Sequence, residues 1–306
     1  MSKKVVFGID IGGTSLKCGL FTGTGELVQK DEIPTGKEMG GAYILDDICD
    51  YIVRVLKDKK IELSDVAGIG IGVPGAVTDD GTVNKCVNLG WGMLNVPDAM
   101  ARRLGIDRDK ICAGNDANVA ALGEYWQGSG KDYASMFFVT VGTGVGGGLI
   151  MDDKPVNGVN GAAAEIGHLP IVEGLDWSCS CGKTGCLEQV ASATGIARLG
   201  KKNNAKEVFD AAKAGDLEAG AVIDMASMYL AKGLACVACV ADPDCFIIGG
   251  GVSAAGEYFL EKIRKYYRIQ AFHPSRDTAI ELASLGNDAG MYGAARLVFN
   301  KVSGGI

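Results

Sequence analysis

The sequence predicts a two-domain α/β protein, and three observations support this fold class. Glycine accounts for 46 of the 306 residues and proline for only 7, which is too little for a low-complexity chain, and no collagen-like period occurs. Hydrophobic residues make up 47% of the sequence, so the chain can bury a large core, and two domains are expected at this length. Finally, a strand, a glycine–threonine turn and a second strand occur twice, half a chain apart.

The first half begins with a meander of strands. Runs rich in β-branched residues predict strands over 4–11, 16–21 and 27–33. An amphipathic helix follows, because apolar residues recur at helical spacing: Ile44, Leu45, Ile48, Tyr51, Ile52, Val55 and Leu56. The other elements expected here are a strand over 66–73, a short helix over 97–104, a short strand over 110–113 and a helix from 115 to about 127.

The second half restarts the pattern with a strand over 134–141, a turn over 142–148 and a strand over 149–151. The later elements expected are helices at about 188–200, 205–214 and 217–241, a strand over 245–248, and helices near 256–268 and 288–300. This repeat predicts two related α/β domains that face a cleft. We place a smaller N-terminal domain over 1–115 and a larger C-terminal domain over 116–287, with the helix at about 288–306 packing back on the first.

Charge and cysteine content argue against several classes of protein. The net charge is −7, and nucleic-acid binding needs basic residues that neutralise phosphates, so it is not expected. Asp10 comes too early for a signal-peptide core. The apolar stretch Met228–Ala241 is shorter than the ~18–20 residues of a membrane span, so we expect a buried helix and a cytoplasmic protein. Ten cysteines in that compartment indicate thiols or metal ligands rather than disulfides.

Two glycine turns could bind a ligand. Asp10-Ile11-Gly12-Gly13-Thr14 lies between two predicted strands, where backbone N–H groups can hold phosphate and the Asp10 carboxylate suits Mg²⁺. A plain hairpin turn explains the same residues equally well. Gly249-Gly250-Gly251 joins a strand to a helix, and it either lets the backbone lie against a planar ligand or makes a tight turn.

Three other glycine motifs imitate nucleotide fingerprints. Gly70–Gly75 and Gly142–Gly148 both match G-x-G-x-x-G, but a turn follows the first and a strand follows the second, whereas a dinucleotide site needs a helix there. Gly182-Lys183-Thr184 lacks the upstream glycine and strand of a P-loop, since Trp177 occupies the glycine position. We therefore expect neither a dehydrogenase nor a P-loop enzyme.

A histidine and three cysteines predict a metal site. His168, Cys179, Cys181 and Cys186 offer one imidazole and three thiolates within 19 residues, a set that fits a closed, structural tetrahedral Zn²⁺ site. We accordingly place a zinc loop over 168–186. The alternative is a group of reduced cysteines without metal. His273 precedes Pro274 and is expected in a surface loop.

A set of polar residues could bind a polyol and supply a base: Asn88, Asn115, Asp116, Glu165, His168 and Glu188. Asn115-Asp116 also suits a helix N-cap, and Glu188 suits the first turn of a helix for electrostatic reasons. These structural explanations stay open for each residue alone.

The motifs occur along the chain in this order: Asp10–Thr14, Val73-Pro74-Gly75, Asn115-Asp116, Gly142-Thr143-Gly144, Glu165-Ile166-Gly167-His168, Cys179–Glu188 and Gly249–Gly251. In residues and order they resemble the ROK (repressor, open reading frame, kinase) family of sugar kinases, and within it the bacterial ATP-dependent glucokinases. The likeness covers essentially the whole chain, and its most specific part is the cysteine block with Glu165–His168 upstream. Ser178 departs from the glycine that many members carry, which leaves the four metal ligands intact.

The resemblance implies an actin-like fold of the sugar kinase/Hsp70 type, related to ribonuclease H, with ATP across the interdomain cleft. The residues it places at the nucleotide and its Mg²⁺ are Asp10, Gly12, Gly13, Thr14, Lys17, Thr143, Gly144, Gly250 and Gly251. Those it places at the sugar are Gly75, Asn88, Asn115, Asp116, Glu165, His168 and Glu188. His168 would bind zinc through one ring nitrogen and face the sugar with the other.

The expected reaction is the phosphorylation of glucose at its 6-hydroxyl, a step of glycolysis, with Asp116 as general base. Alternatives are another hexose (N-acetylmannosamine, N-acetylglucosamine, fructose or allose) and polyphosphate as donor. The family's repressors carry an added N-terminal DNA-binding domain, for which a first strand at about Lys4 leaves no room. An actin-like or chaperone ATPase would lack the Glu165, His168 and cysteine block. Family members are often dimers or tetramers, and we expect a homodimer.

Overall fold

The computed structural model describes residues 4–84 and 86–302. Its strands are β1 (Val5–Ile11), β2 (Ser15–Thr22), β3 (Leu27–Pro34), β4 (Val66–Val73), β5 (Thr82–Val83), β6 (Leu94–Asn95), β7 (Ile111–Asn115), β8 (Met136–Val141), β9 (Val145–Met151), β10 (Lys154–Pro155), β11 (Cys245–Gly249) and β12 (Ala279–Leu282). Its helices are α1 (Glu38–Gly41), α2 (Ile44–Lys59), α3 (Val96–Leu104), α4 (Asp116–Gln127), α5 (Glu188–Ala191), α6 (Ala193–Leu199), α7 (Ala205–Lys213), α8 (Leu217–Ala241), α9 (Glu257–Gln270) and α10 (Ala289–Val302).

Contacts divide the chain into two compact units. The first unit comprises Met1–Gly128, Asp153–Ala163 and Asn287–Ile306, and the second comprises Ser129–Asp152 and Ala164–Gly286. This division differs from the predicted domain ranges in two respects. Helix α4 lies in the first unit, because it packs along α10, and the chain returns to the first unit over 153–163. The first unit is therefore not the smaller one.

The first unit is built on a five-stranded sheet in the order β3-β2-β1-β4-β7. Strand β1 pairs antiparallel with β2 and parallel with β4, which pairs parallel with β7. The nearly continuous burial of β1 and β4 is what a strand covered on both faces requires. The apolar face of α2 joins one core cluster with these strands, and α10 contributes to another.

Helix α10 approaches its neighbours closely because glycines stand at the contacts. A β-carbon on Gly70 of β4 would overlap the carbonyl oxygen of Ala294, and one on Gly8 of β1 would overlap that of Met291. Where α10 meets α4, a β-carbon on Gly293 would overlap the carbonyl oxygen of Val119. Part of the glycine excess thus serves helix packing rather than ligand binding.

Gly293→Ala is therefore expected to lower the free energy of unfolding. The added methyl group would force α10 away from α4, and overpacking of this kind costs about 1–3 kcal/mol or more. Urea unfolding monitored by circular dichroism measures the change. Gly220→Ala is the matched control, because no atom lies within 4 Å of the methyl group it would add on α8. It should be neutral or stabilising. Equal stabilities for the two variants would contradict the packing argument.

The second unit contains a sheet with the order β9-β8-β11-β12. Strand β8 pairs antiparallel with β9 and parallel with β11, which pairs parallel with β12. The first unit has the same arrangement in β2, β1, β4 and β7, so the repeated pattern read from the sequence corresponds to a repeated topology. The predicted α/β class is confirmed.

Helix α8 is the central helix of the second unit. Its 25 residues begin at the N-cap Asp216, whose side chain accepts hydrogen bonds from the backbone N–H groups of Glu218 and Ala219. By length and composition alone, this helix is apolar enough to cross a membrane. Half of its most apolar 18-residue stretch is buried inside the protein. A core helix passes the same test, and α8 packs on α7 and α9.

Three local predictions need correction. The run 142–148 is not one turn, because β9 begins at Val145 and includes three of its glycines. The helix expected over 188–200 is split at Ser192, whose extended backbone (ψ 164°) ends α5 and caps α6. Strand β12 was not anticipated, because four residues carry too little pattern.

Candidate functional site

The turn between β1 and β2 presents open backbone. The N–H of Gly12 donates to the carbonyl of Ser15 (3.0 Å), closing the turn. Gly13 and Thr14 are exposed, and a β-carbon on Gly13 would meet only the Nζ of Lys37, at 3.7 Å. The protein's own packing does not require glycine at position 13, so close approach of a ligand is a reason for it.

Asp10 lies just before this turn, in a space that two glycines create. It pairs in register with Lys17 on β2 and Gly72 on β4. A β-carbon on Gly72 would lie 3.1 Å from its Oδ1, and one on Gly290 of α10 would lie 2.5 Å from its Oδ2. The pKa of Asp10 is raised to about 7, chiefly by burial, while the charge of Asp116 contributes to the rise and the charge of Lys17 opposes it. A divalent cation here would favour the ionised carboxylate.

Asp10→Asn is expected to stabilise the ligand-free protein at neutral pH. Because the folded pKa lies above the unfolded value, the free energy of unfolding falls as pH rises from about 4 to about 7, by roughly 2–4 kcal/mol. The amide does not ionise, so the variant lacks this loss. Urea unfolding at pH 5 and pH 8 should show the advantage of Asp10→Asn growing with pH. The exposed-residue control Asp58→Asn should show no such growth, and parallel curves for Asp10→Asn would contradict the prediction.

Asn115 and Asp116 stand where β7 ends and α4 begins. The Asn115 side chain caps α4 by accepting from the N–H of Asn118 (3.0 Å), and its Nδ2 donates to the carbonyl of Gly75 (2.9 Å). Oδ1 of Asp116 accepts from the N–H of Ala117 (2.9 Å) and from Nδ2 of Asn115 (3.2 Å). The helix-cap explanation is therefore correct for Asn115, and the same bonds hold the Asp116 carboxylate at the helix N-terminus.

Of the predicted sugar residues in the first unit, the structure thus brings together Gly75, Asn115 and Asp116. Asn88 is exposed and lies in a 3-10 segment over Val87–Leu89. The structure does not link its side chain to the other three by a described hydrogen bond.

The turn between β8 and β9 in the second unit corresponds to the β1–β2 turn of the first unit. The N–H of Gly142 donates to the carbonyl of Gly144 (2.9 Å). Helix α6 also holds the turn, because Oγ1 of its Thr194 donates to the carbonyl of Thr143 (2.8 Å). A β-carbon on Gly142 would meet nothing within 4 Å. Open backbone at the end of a strand therefore occurs in both units.

The glycine run after β11 has a mixed role. Gly250 has a positive φ of 81°, and a β-carbon there would come within 2.6 Å of the backbone nitrogen of Val141. A β-carbon on Gly251 would meet nothing within 4 Å. Gly250 is thus required by the turn itself, whereas Gly251 leaves room for a ligand.

Glu165, His168 and Glu188 cluster in the second unit. Glu165 precedes a 3-10 turn over Ile166–His168, and its pKa is raised by burial, lowered by His168 and raised by Glu188. Nδ1 of His168 lies 3.9 Å from Oε1 of Glu188. A β-carbon on Gly144 would lie 2.9 Å from Oε2 of Glu188, so this carboxylate also borders the β8–β9 turn.

Four ligand atoms converge beside that cluster. One atom each of His168, Cys179, Cys181 and Cys186 lies within 4.8 Å of the others. Nδ1 of His168 is 3.4 Å from Sγ of Cys179, and Sγ of Cys181 is 3.5 Å from Sγ of Cys186. Tetrahedral zinc with its usual bond lengths separates ligand atoms by about 3.5–4 Å. The donor set and spacing therefore fit zinc.

The metal-binding loop folds tightly. The N–H of Cys179 donates to the carbonyl of Lys183 (2.8 Å), and the N–H of Gly182 donates to the carbonyl of Cys179 (2.9 Å). Gly182 and Gly185 have positive φ angles of 85° and 73°, which only glycine adopts readily. The two glycines between the cysteines thus let the thiols turn toward one point.

Sequence reasoning missed three residues at these sites. Thr35 holds the β1–β2 turn by two hydrogen bonds, Lys37 reaches it, and Gly290 makes room for Asp10. Only Thr35, in a Pro-Thr-Gly run after a strand, carried a local signal, and that signal indicated a turn.

The chain is similar to known proteins over nearly its whole length. The ROK family model matches residues 6–301. A glucokinase of Halalkalibacterium halodurans is 40% identical over 97% of this chain and 96% of its own length, and an N-acetyl-D-glucosamine kinase of Salmonella paratyphi A is 33% identical over 95% and 98%. The crystal structure of a ROK family glucokinase from Streptomyces griseus in complex with glucose and AMPPNP superposes with a TM-score of 0.77, at 32% identity over 96% and 98%.

Proposed function

Since this chain belongs to the ROK family, we propose that it is an ATP-dependent glucokinase, which transfers the γ-phosphoryl group of ATP to the 6-hydroxyl of glucose. The observation that supports glucose most is the likeness to a glucokinase over 97% of the chain. The Streptomyces griseus relative binds glucose and an ATP analogue together. The family and the repeated topology also favour an actin-like fold in which residues of both units serve one reaction.

The nucleotide would be held mainly by backbone. Open space lies at three glycines, Gly13, Gly142 and Gly251, of the three proposed nucleotide-binding turns, and glycine there lets N–H groups reach phosphate oxygens. Asp10 and Lys17 lie at the first turn in register with one another. We propose that Asp10 faces the Mg²⁺ of Mg·ATP, since a carboxylate near substrate phosphates is the usual magnesium partner.

Asp116 is our proposed general base. It accepts the proton of the 6-hydroxyl as that oxygen attacks the γ-phosphorus, and the bond from the γ-phosphorus to the bridging oxygen breaks to release ADP. Phosphoryl transfer depends chiefly on positioning and on charge neutralisation. Two hydrogen bonds to Oδ1 of Asp116 support the positioning. The sugar's other hydroxyls would be held by Gly75, Asn88, Asn115, Glu165, His168 and Glu188.

We propose that His168, Cys179, Cys181 and Cys186 hold a structural Zn²⁺. The ion would supply no step of the reaction. It would fix the ring orientation of His168, whose Nδ1 lies 3.9 Å from Oε1 of Glu188. A ligand that also orients a binding residue couples metal occupancy to substrate affinity.

An N-acetylhexosamine is the second candidate substrate, because N-acetyl-D-glucosamine kinases are among the relatives of similar length. A coupled ADP-release assay with Mg²⁺, run over glucose, N-acetylglucosamine, N-acetylmannosamine, fructose and allose, tests the proposal. We expect kcat/KM to be highest for glucose. A higher value for N-acetylglucosamine would transfer the assignment to that sugar, and polyphosphate in place of ATP tests the donor.

We further propose that the enzyme is a cytoplasmic homodimer that acts in glycolysis, in keeping with its likeness to glucokinases. Sedimentation velocity distinguishes a dimer from a tetramer.

A further inference from the structure

Lys37 brings a positive charge to the β1–β2 turn from a separate part of the chain. It follows β3, 24 positions after the glycine that its Nζ approaches. It is exposed, and none of the ion pairs found among residues 4–84 and 86–302 includes it. An unpaired cation beside open backbone N–H groups is what an anionic group would meet there.

The segment that carries Lys37 is bound to the turn itself. Oγ1 of Thr35 donates to the carbonyl of Gly12 (2.8 Å), and the N–H of Thr35 donates to the carbonyl of Thr14 (3.0 Å). Two residues later, the carbonyl of Lys37 accepts from the N–H of Gly41 (3.3 Å). These bonds on either side of Lys37 fix where its side chain starts, so its position over the turn is not that of a free surface lysine.

The charges of Lys37 and of the proposed base act on the same thiol. The pKa of the Cys86 thiol is raised chiefly by burial and lowered by backbone hydrogen bonds from Leu89 and Asn88, and smaller contributions come from Asp116, which raises it, and Lys37, which lowers it. One thiol thus senses both groups. The region already holds the carboxylates of Asp10 and Asp116, which repel a polyphosphate, so a second cation besides Lys17 has a clear purpose.

We propose that Lys37 binds the terminal phosphate groups of the nucleotide at the Gly12–Thr14 turn. This inference rests on the proposed function, because it takes a nucleoside triphosphate as the ligand. An ammonium group neutralises phosphate charge as a point cation on a flexible stem. Lys37 would then gain its ion-pair partner only when nucleotide is bound.

The test compares Lys37→Met and Lys37→Arg with the exposed control Lys59→Met. Isothermal titration calorimetry with Mg²⁺ measures the affinities for AMPPNP, AMP and glucose separately. We expect Lys37→Met to raise the Kd for AMPPNP about 10-fold or more, with the affinities for AMP and glucose within about 2-fold of wild type. Lys37→Arg should retain most of the affinity because it keeps the charge, and Lys59→Met should retain all of it.

The same variants in the coupled assay should show an increased KM for ATP and an unchanged KM for glucose. An AMPPNP affinity of Lys37→Met within about 2-fold of wild type, or a loss confined to glucose, would overturn the inference while the activity of the wild type leaves the proposed function standing. A wild-type protein that phosphorylates no sugar would instead refute the proposed function. Lys37→Gln, a second neutral variant, replaces Lys37→Met if that protein does not fold.

Discussion

Asp116→Ala is expected to lower kcat for glucose by about 10²–10⁴-fold, the range over which a positioned general base contributes. The loss should appear in kcat, because Asp116 acts on the reacting hydroxyl, with AMPPNP affinity little changed. Steady-state kinetics over glucose and ATP concentrations provide the measurement. Asp116→Asn should fall in the same range, since an amide oxygen can accept hydrogen bonds from Ala117 and Asn115 but cannot take the proton.

A control variant and a second expected effect make this prediction specific to Asp116. Asp58→Ala, at an exposed aspartate of α2, should retain wild-type kinetics. Removing the charge of Asp116 should also lower the pKa of Asp10, because Asp116 raises it in the wild type, so the fall in the free energy of unfolding between pH 5 and pH 8 should be smaller in Asp116→Ala. A kcat for Asp116→Ala close to that of the wild type would refute the assignment of the base.

The second large effect is expected at the cysteine loop. Cys181→Ser should remove bound metal, lower the thermal midpoint of unfolding and raise the KM for glucose by about 10-fold or more, because His168 loses the partner that orients its ring. Inductively coupled plasma mass spectrometry gives the zinc content, and calorimetry gives the midpoint. We expect one zinc per wild-type chain.

The control is Cys239→Ser, which changes an exposed cysteine on α8 outside the cluster. It should keep the zinc content and the KM of the wild type. Full activity in wild-type protein shown to contain no metal would contradict the structural role, and unchanged glucose affinity in zinc-free Cys181→Ser would contradict the coupling to His168.

Elements with a strong local pattern could be predicted from the sequence. Strand β4 and helix α8 end where continuous apolar residues or helical periodicity end, so their predicted bounds match the structure. The four proposed metal ligands were also accessible, because they lie close together in sequence and the glycines between them allow a tight loop. The structure brings these four ligand atoms together as that spacing implies.

The rest depended on contacts that are distant in sequence. Gly70 and Gly72 look like a nucleotide fingerprint, but Gly70 accommodates Ala294 of α10 and Gly72 accommodates the carboxylate of Asp10. The raised pKa of Asp10 likewise depends on burial that Gly290 completes from the C-terminal helix. No local pattern connects residues that lie from 62 to 280 positions apart, as these pairs do. The boundary near 115 missed α4 for the same reason, since its partner is α10.

The measurement that tests the central claim most directly is the identity of the product. Glucose, ATP and Mg²⁺ incubated with the wild-type enzyme should give glucose 6-phosphate and ADP in equal amounts, as seen by ³¹P nuclear magnetic resonance, and no ADP without sugar beyond a slow background. Phosphate release from ATP without a phosphorylated sugar, or phosphate on another hydroxyl of glucose, would contradict the proposed reaction.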